Sequence, residues 1–202
     1  MSPAKRGPES TEALRRSLVD HARTLIDRDG PGALTMRALA AEAGCAVGLP
    51  YKVFADRRDL VAEICHVEFE RLGSAYDQLA RRAGKWTVGA NLAWFADLVL
   101  DSPSVSLAEE VFADEDLVKA IITRTHETGI GPGPFETVFA RYLAAEKRAG
   151  RVAADVDEAA FGFLLAGAVH NLVVAGDAWP RPSRRQLRQK LDAVAAAIAP
   201  RP

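Results

Sequence analysis

The chain has 202 residues, 49% hydrophobic and 26% charged, which allows one large globular domain or two small ones sharing a core. Its two cysteines, Cys45 and Cys65, lack CxxC spacing, so neither a disulfide framework nor a zinc site is indicated, and the start MSPAKRGPESTEALRR has no apolar run of the kind a secretory signal needs. A net charge of −1 argues against a general nucleic-acid coat protein.

In chain order, glycine and proline divide the sequence into segments that read as helices. Leu14, Leu18, Ala22, Leu25 and Ile26 keep helical spacing over 11–28, with Ser10 as a cap and Asp29-Gly30-Pro31-Gly32 as a stop. Thr35 caps a short helix over 36–43 that ends at Gly44, and a second short helix follows up to Phe54. Asp56, with Asp59 three residues on, resembles a capping box for a helix running to about Arg82. Further helices are expected over 87–100, 104–113, 115–128, 135–149, 157–175 and 183–198. No alternating run suits a strand, so the expected fold is all-α with nine to ten helices. GIGPGP at 129–134 reads as a loop; two prolines remove donors that a phosphate cradle would need, and no lysine follows. The apolar stretch 159–176 contains three glycines and His170-Asn171, which suits a buried helix rather than a membrane span.

The most informative segment is 34–60, LTMRALAAEAGCAVGLPYKVFADRRDL. Met36, Leu39, Ala40 and Ala43 form an inner face, Gly44 permits a sharp turn, and Cys45 or Val47 can plug the angle to the next helix, which carries Tyr51 and Phe54. Two short helices across such a turn form a helix-turn-helix, whose second helix enters the DNA major groove. The segment resembles the DNA-binding domain of the TetR family of regulators, with the pattern T-x-x-x-I-A-x-x-A-G-V-S-x-G-T-L-Y-x-Y-F-x-x-K-x-x-L. The matching positions are Thr35, Leu39, Ala40, Ala43, Gly44, Gly48, Tyr51, Phe54 and Leu60, with Arg57 replacing the lysine.

That resemblance implies a DNA-binding unit over 1–58 and an effector-binding and dimerisation unit over 59–202. It places Thr35, Arg37, Val47, Gly48, Leu49, Tyr51, Lys52 and Arg57 on the DNA side. Three positions depart from the pattern: Ala46 stands where a Ser or Thr usually caps the recognition helix, Leu49 replaces a threonine, and Pro50 replaces an apolar helix former. Pro50 is expected to push Leu49 out of helical conformation and to delay or disorder the first turn. Base contacts should therefore be few, and phosphate contacts from Thr35, Tyr51, Arg57 and Lys52 should carry the affinity. Arg58 beside Arg57 is a second candidate at a helix N-terminus, and Lys5, Arg6 and Arg15 are candidates for a basic arm. The blander alternative at each position is a packing tyrosine or a solvated cation.

Charge is distributed in keeping with this division: residues 1–59 carry +2, residues 60–180 carry −8 and residues 181–202 carry +5. By resemblance the body holds a pocket for a small, largely apolar effector within its helices, with no cofactor. Trp94, Phe95, Phe112, His126, Phe139, Tyr142, His170 and Asn171 are the candidate lining, against the alternative that aromatics at helical spacing are plain core. Leu187, Leu191, Val194 and Ile198 form one apolar stripe, and 157–175 is apolar nearly all round with Gly162, Ala166 and Gly167 able to admit a close neighbour. The resemblance implies that these last two helices pair with a second copy as a four-helix bundle. The expected protein is a cytoplasmic, homodimeric, ligand-responsive repressor on a palindromic double-stranded operator, and not an enzyme.

Two other readings stay open on sequence alone. Glu63, His66 and Glu70 share a helix face, and Glu-x-x-His is half of a di-iron motif, though no second copy occurs. A helix-turn-helix adaptor that binds only protein is the other. Cys45 as a redox switch competes with Cys45 as a small packing residue.

Overall fold

The computed structural model describes residues 8–128, 135–174 and 180–201, which form eleven α-helices, one 3-10 turn and no strand among the described residues. Lys5 and Arg6 of the expected arm and the 129–134 loop lie outside them. The helices are α1 (Pro8–Asp29), α2 (Met36–Glu42), α3 (Pro50–Val53), α4 (Arg57–Arg81), α5 (Val88–Leu100) and α6 (Pro103–Ser106). They continue as α7 (Ala108–Ala113), α8 (Glu115–Thr128), α9 (Phe135–Arg148), α10 (Glu158–Val174) and α11 (Arg184–Ala197).

Most boundaries follow local chemistry. Thr35, Asp56, Thr87, Ser102 and Ser183 each accept a backbone N–H at a helix start. Asp59 returns a bond to the N–H of Ala55, a near relative of the expected capping box. α1 begins at Pro8 rather than after Ser10, because a first-turn proline loses no hydrogen bond. The segment 104–113 is two helices: Pro103 opens a single turn, and Leu107 closes it while starting the next.

Two apolar cores share α4. The first holds Leu18, Val19, Leu25, Leu34, Leu39 and Phe54 against Leu60, Val61 and Ile64 of α4, and is completed by Leu107 and Leu117. In the second, Leu72, Ala75 and Leu79 of α4 meet Leu92, Phe95 and Phe139. Phe69 touches both. At roughly 1.5–3 kcal/mol for each fully buried large side chain, both halves of α4 are firmly held.

The C-terminal helices pack differently from the sequence expectation. Leu187, Leu191 and Ile198 are buried in the second core, where α11 lies on α5, so their stripe does not face outward. Gly162 and Ala166 face the chain's own α9; a Cβ on Gly162 would lie 2.7 Å from the carbonyl oxygen of Glu136 and 2.9 Å from the amide of Ala140. The apolar side left open is that of α10, where Phe163 is 64% and Leu164 60% exposed. Gly162→Ala is expected to destabilise the fold by about 1–3 kcal/mol through overpacking against backbone. Gly73→Ala, exposed in α4 with nothing within 4 Å of the added carbon, should stabilise it by about 0.5–1 kcal/mol. Equilibrium unfolding of the two variants checks the contrast.

Candidate nucleic-acid interface and internal cavity

The turn between α2 and α3 is built by the backbone. Gly44 takes φ +60°, its N–H bonds the carbonyl of Ala41 at 3.1 Å, and the N–H of Cys45 bonds the carbonyl of Ala40 at 2.9 Å, closing α2 as a Schellman motif. Cys45 packs against the first core, whereas Val47 is 50% exposed, so Cys45 is the plug. Leu49 is helical, at φ −71° and ψ −46°, contrary to the expectation from Pro50. Its N–H reaches the carbonyl of Ala46 at 2.8 Å, and Pro50 is buried as the first residue of α3, where no donor is needed. Regular helix nonetheless begins late, at Pro50.

Thr35, Arg37, Val47, Gly48, Tyr51 and Lys52 are all exposed on α2, α3 and the turn between them, and Leu49 is half-buried. The basic residues of this unit divide sharply. Arg15, Arg16, Arg23, Arg28, Arg57 and Arg58 each pair with a carboxylate, and among the described residues of the unit only Arg37 and Lys52 do not. Arg57 is not placed to hold phosphate: Nε donates to the carbonyl of Leu34 at 2.7 Å, and the guanidinium also reaches the Pro31 carbonyl and clasps Glu110 of α7. Arg58 lies 2.7 Å from Asp114. Arg15, expected in a basic arm, instead reaches Val53, Asp59 and Glu63 from α1 and stacks over Phe54. These partners are not legible in the sequence because each lies more than twenty residues away.

A cavity of about 340 Å³ opens between α4 and the α6–α8 segment, walled by Leu72, Val99, Val111, Ile121, Phe135 and Val173 among others. Of the expected lining residues, Phe112 and His170 belong to it. Phe95 and Phe139 are core instead, edge-to-face at 5.3 Å between ring centres. Tyr142 is fully buried and donates to Glu146 at 2.6 Å, in a network with Asn91 and the amide of Gly84. Burial and this neighbouring carboxylate, in that order, push the phenol far above its ordinary range. Trp94 lies under the Arg82 guanidinium at 4.4 Å, and His126 and Asn171 are exposed away from the cavity wall. Sequence reasoning missed Cys65, Tyr76 and Ser104 on that wall; the Ser-Pro-Ser run at 102–104 signals the helix break that brings Ser104 there. Burial raises Cys65 and Tyr76 each to about 12, so both stay neutral.

The trio Glu63, His66 and Glu70 makes no metal centre. Glu63 is taken by Arg15 at 2.9 Å and by Arg124, and no cluster of three ligating side chains occurs among the described residues. Nor is any described helix long and apolar enough to cross a membrane.

The family described as bacterial regulatory proteins, tetR family, matches residues 18–64, the span from α1 into α4. The HTH-type transcriptional repressor KstR of Mycolicibacterium smegmatis is 30% identical over 84 residues, 42% of this chain and 41% of that protein, so the match spans under half of its length. A proposed TetR-family transcriptional regulator from Mesorhizobium loti superposes with a TM-score of 0.65 at 18% identity, covering 93% of this chain and 96% of that one. A TetR-family transcriptional regulator from Pectobacterium atrosepticum gives 0.64 at 17% identity, covering 98% and 100%. These two likenesses extend the shared fold through α11, beyond the matched N-terminal segment. Residues 18–64 thus match the tetR family of bacterial regulatory proteins, and the described chain as a whole shares the fold of these two solved structures.

Proposed function

We propose that this chain is a cytoplasmic, ligand-responsive DNA-binding repressor, with a reading unit over 1–58 and a sensing and dimerisation unit over 59–202. The carrying observation is the division of its cations: six arginines of the N-terminal unit pair with carboxylates, four of them on the body, while Arg37 and Lys52 stay outward beside Thr35 and Tyr51. That pattern suits a surface that meets phosphate and base edges at the helix-turn-helix itself. Repression, rather than DNA binding alone, is suggested by the similarity to KstR.

Ligand response has a physical route. The α7–α8 segment lines the cavity with Val111, Phe112, Val118, Ile121 and Ile122, and the same two helices with Asp114 between them supply Glu110, Asp114 and Arg124 to clasp Arg57, Arg58 and Glu63 at the start of α4. A ligand that repositions this segment shifts the clasps, and through them the head; only such differential binding can couple the two sites. An adaptor that binds only protein would lack the salt dependence described next.

Against a duplex selected from a random library, Lys52→Ala should reduce the log–log salt slope by about 0.9 per half-site, and Arg37→Ala should either do the same or relax preference at one base pair by about 1–3 kcal/mol. Arg57→Ala should leave the slope unchanged while costing roughly 1–2 kcal/mol of stability, because its hydrogen bonds are internal. A titration of each variant at several salt concentrations, with thermal unfolding in parallel, decides the matter; binding insensitive to salt would sink the DNA reading.

Homodimerisation is assigned to the open side of α10, where Phe163 and Leu164 flank Gly167, and an added Cβ on Gly167 would meet nothing within 4 Å. Phe163→Glu with Leu164→Glu should yield folded monomers by light scattering. Leu191→Glu should unfold the protein instead, since Leu191 is buried within its own chain.

A further inference from the structure

Among the described residues the cavity wall bears neither a Lys or Arg nor an Asp or Glu, so they offer no such counter-charge to an ionic guest, and desolvating one would be costly. Its titratable neighbours are the neutral Cys65 and Tyr76 and the exposed His170. Ser104, half-buried on α6, differs from these because the direction of its hydrogen bond is fixed from behind.

Glu68 is 1% exposed and lies 2.9 Å from Arg23 of α1 and 3.6 Å from Arg71, an ion-paired carboxylate that can only accept. Ser102, also buried, donates its one proton to Glu68 at 2.9 Å. Ser102 Oγ stands 2.8 Å from Ser104 Oγ and has no second proton, so Ser104 is the donor in that contact. Ser104 has then spent its own proton, and what its oxygen has left to offer is a lone pair.

We propose that the cavity takes a neutral, largely apolar molecule bearing an alcohol or phenol hydroxyl, which donates a hydrogen bond to Ser104. This rests on the reading of the cavity as the effector site and adds the guest's charge and hydrogen-bond polarity. A carboxylate finds no Lys or Arg among the described residues of the wall and meets the lone pairs of Ser104, with Glu68 two hydrogen bonds behind. A ketone is an acceptor facing an acceptor.

The test uses the full-length protein at pH 8 with 1-nonanol, 2-nonanone and nonanoate, with binding measured by calorimetry. The alcohol should bind about tenfold tighter than the ketone, and the anion at least about tenfold weaker than the alcohol, in line with the cost of leaving a buried polar group unmet. Ser104→Ala should remove the alcohol's advantage and leave ketone binding unchanged, while Ser104→Thr, which keeps the hydroxyl, should retain it. Ketone or carboxylate binding as tight as the alcohol overturns the assignment, as does an alcohol advantage that survives Ser104→Ala, or no binding of any of the three. The effector reading fails separately: there the alcohol binds with the expected preference, yet saturation leaves affinity for the library-selected duplex unchanged.

Discussion

Helix α4 carries two carboxylates, Glu63 and Glu68, that are almost wholly shielded from water, and a shielded carboxylate needs a cation close by. Each receives a cation from α1: Arg15 reaches Asp59 and Glu63, and Arg23 reaches Glu68. Removing one partner from such a pair typically costs about 3–5 kcal/mol, because the other charge stays buried. The orientation of α1 on α4 is therefore set by charge as well as by the packing of Leu18, Val19 and Ile64. Since α2 and α3 pack on α1, their angle to the body follows from the same two pairs.

The other side of α4 is tied to the body. Arg124 of α8 joins Arg15 on Glu63 and Asp59, so one pair of carboxylates holds α1 and α8 at once. Further along, Glu68 passes from Arg23 to Ser102 and so to α6. Cavity wall and head thus meet on a few charged groups of one helix. At the far end, Glu146 gathers Tyr142, Asn91, the Gly84 amide and Arg151, and closes the second core around fully satisfied polar atoms. Near the cavity the polar chain is shorter, running from Glu68 through Ser102 to Ser104 on a wall that is otherwise largely apolar among the described residues.

Features fixed by neighbouring residues were legible in the sequence. Thr35, Gly44, Asp56 and Thr87 act through bonds spanning a few residues, and the helix-turn-helix was readable from such signals. Pairings across the fold were not. Arg57 reads as a phosphate contact until Glu110, 53 residues away, closes on it. Phe95, Phe139 and Tyr142 have the spacing of lining residues, but spacing only says that a face is apolar; whether it meets another ring or a gap depends on helices arriving from elsewhere. The stripe on α11 was correctly apolar, yet its partner is α5 of the same chain rather than a second copy. For Leu49 the bias imposed by a following proline yielded to the hydrogen bonds of the turn.

Leu107 and Leu117 sit in the first core although they come from α6–α8 territory, some fifty residues past the end of the helix-turn-helix. The head is consequently not a module in the sense a protein engineer needs. A graft joined just before α4 would bring foreign side chains against Leu60, Val61 and Ile64 and would leave those two leucines facing surfaces they did not evolve with. A chimera that keeps its reading specificity has to import the first half of α4 and match the α6–α8 contact as well. Exchange of heads between relatives is limited by that seam, and it runs through the very helices that line the cavity.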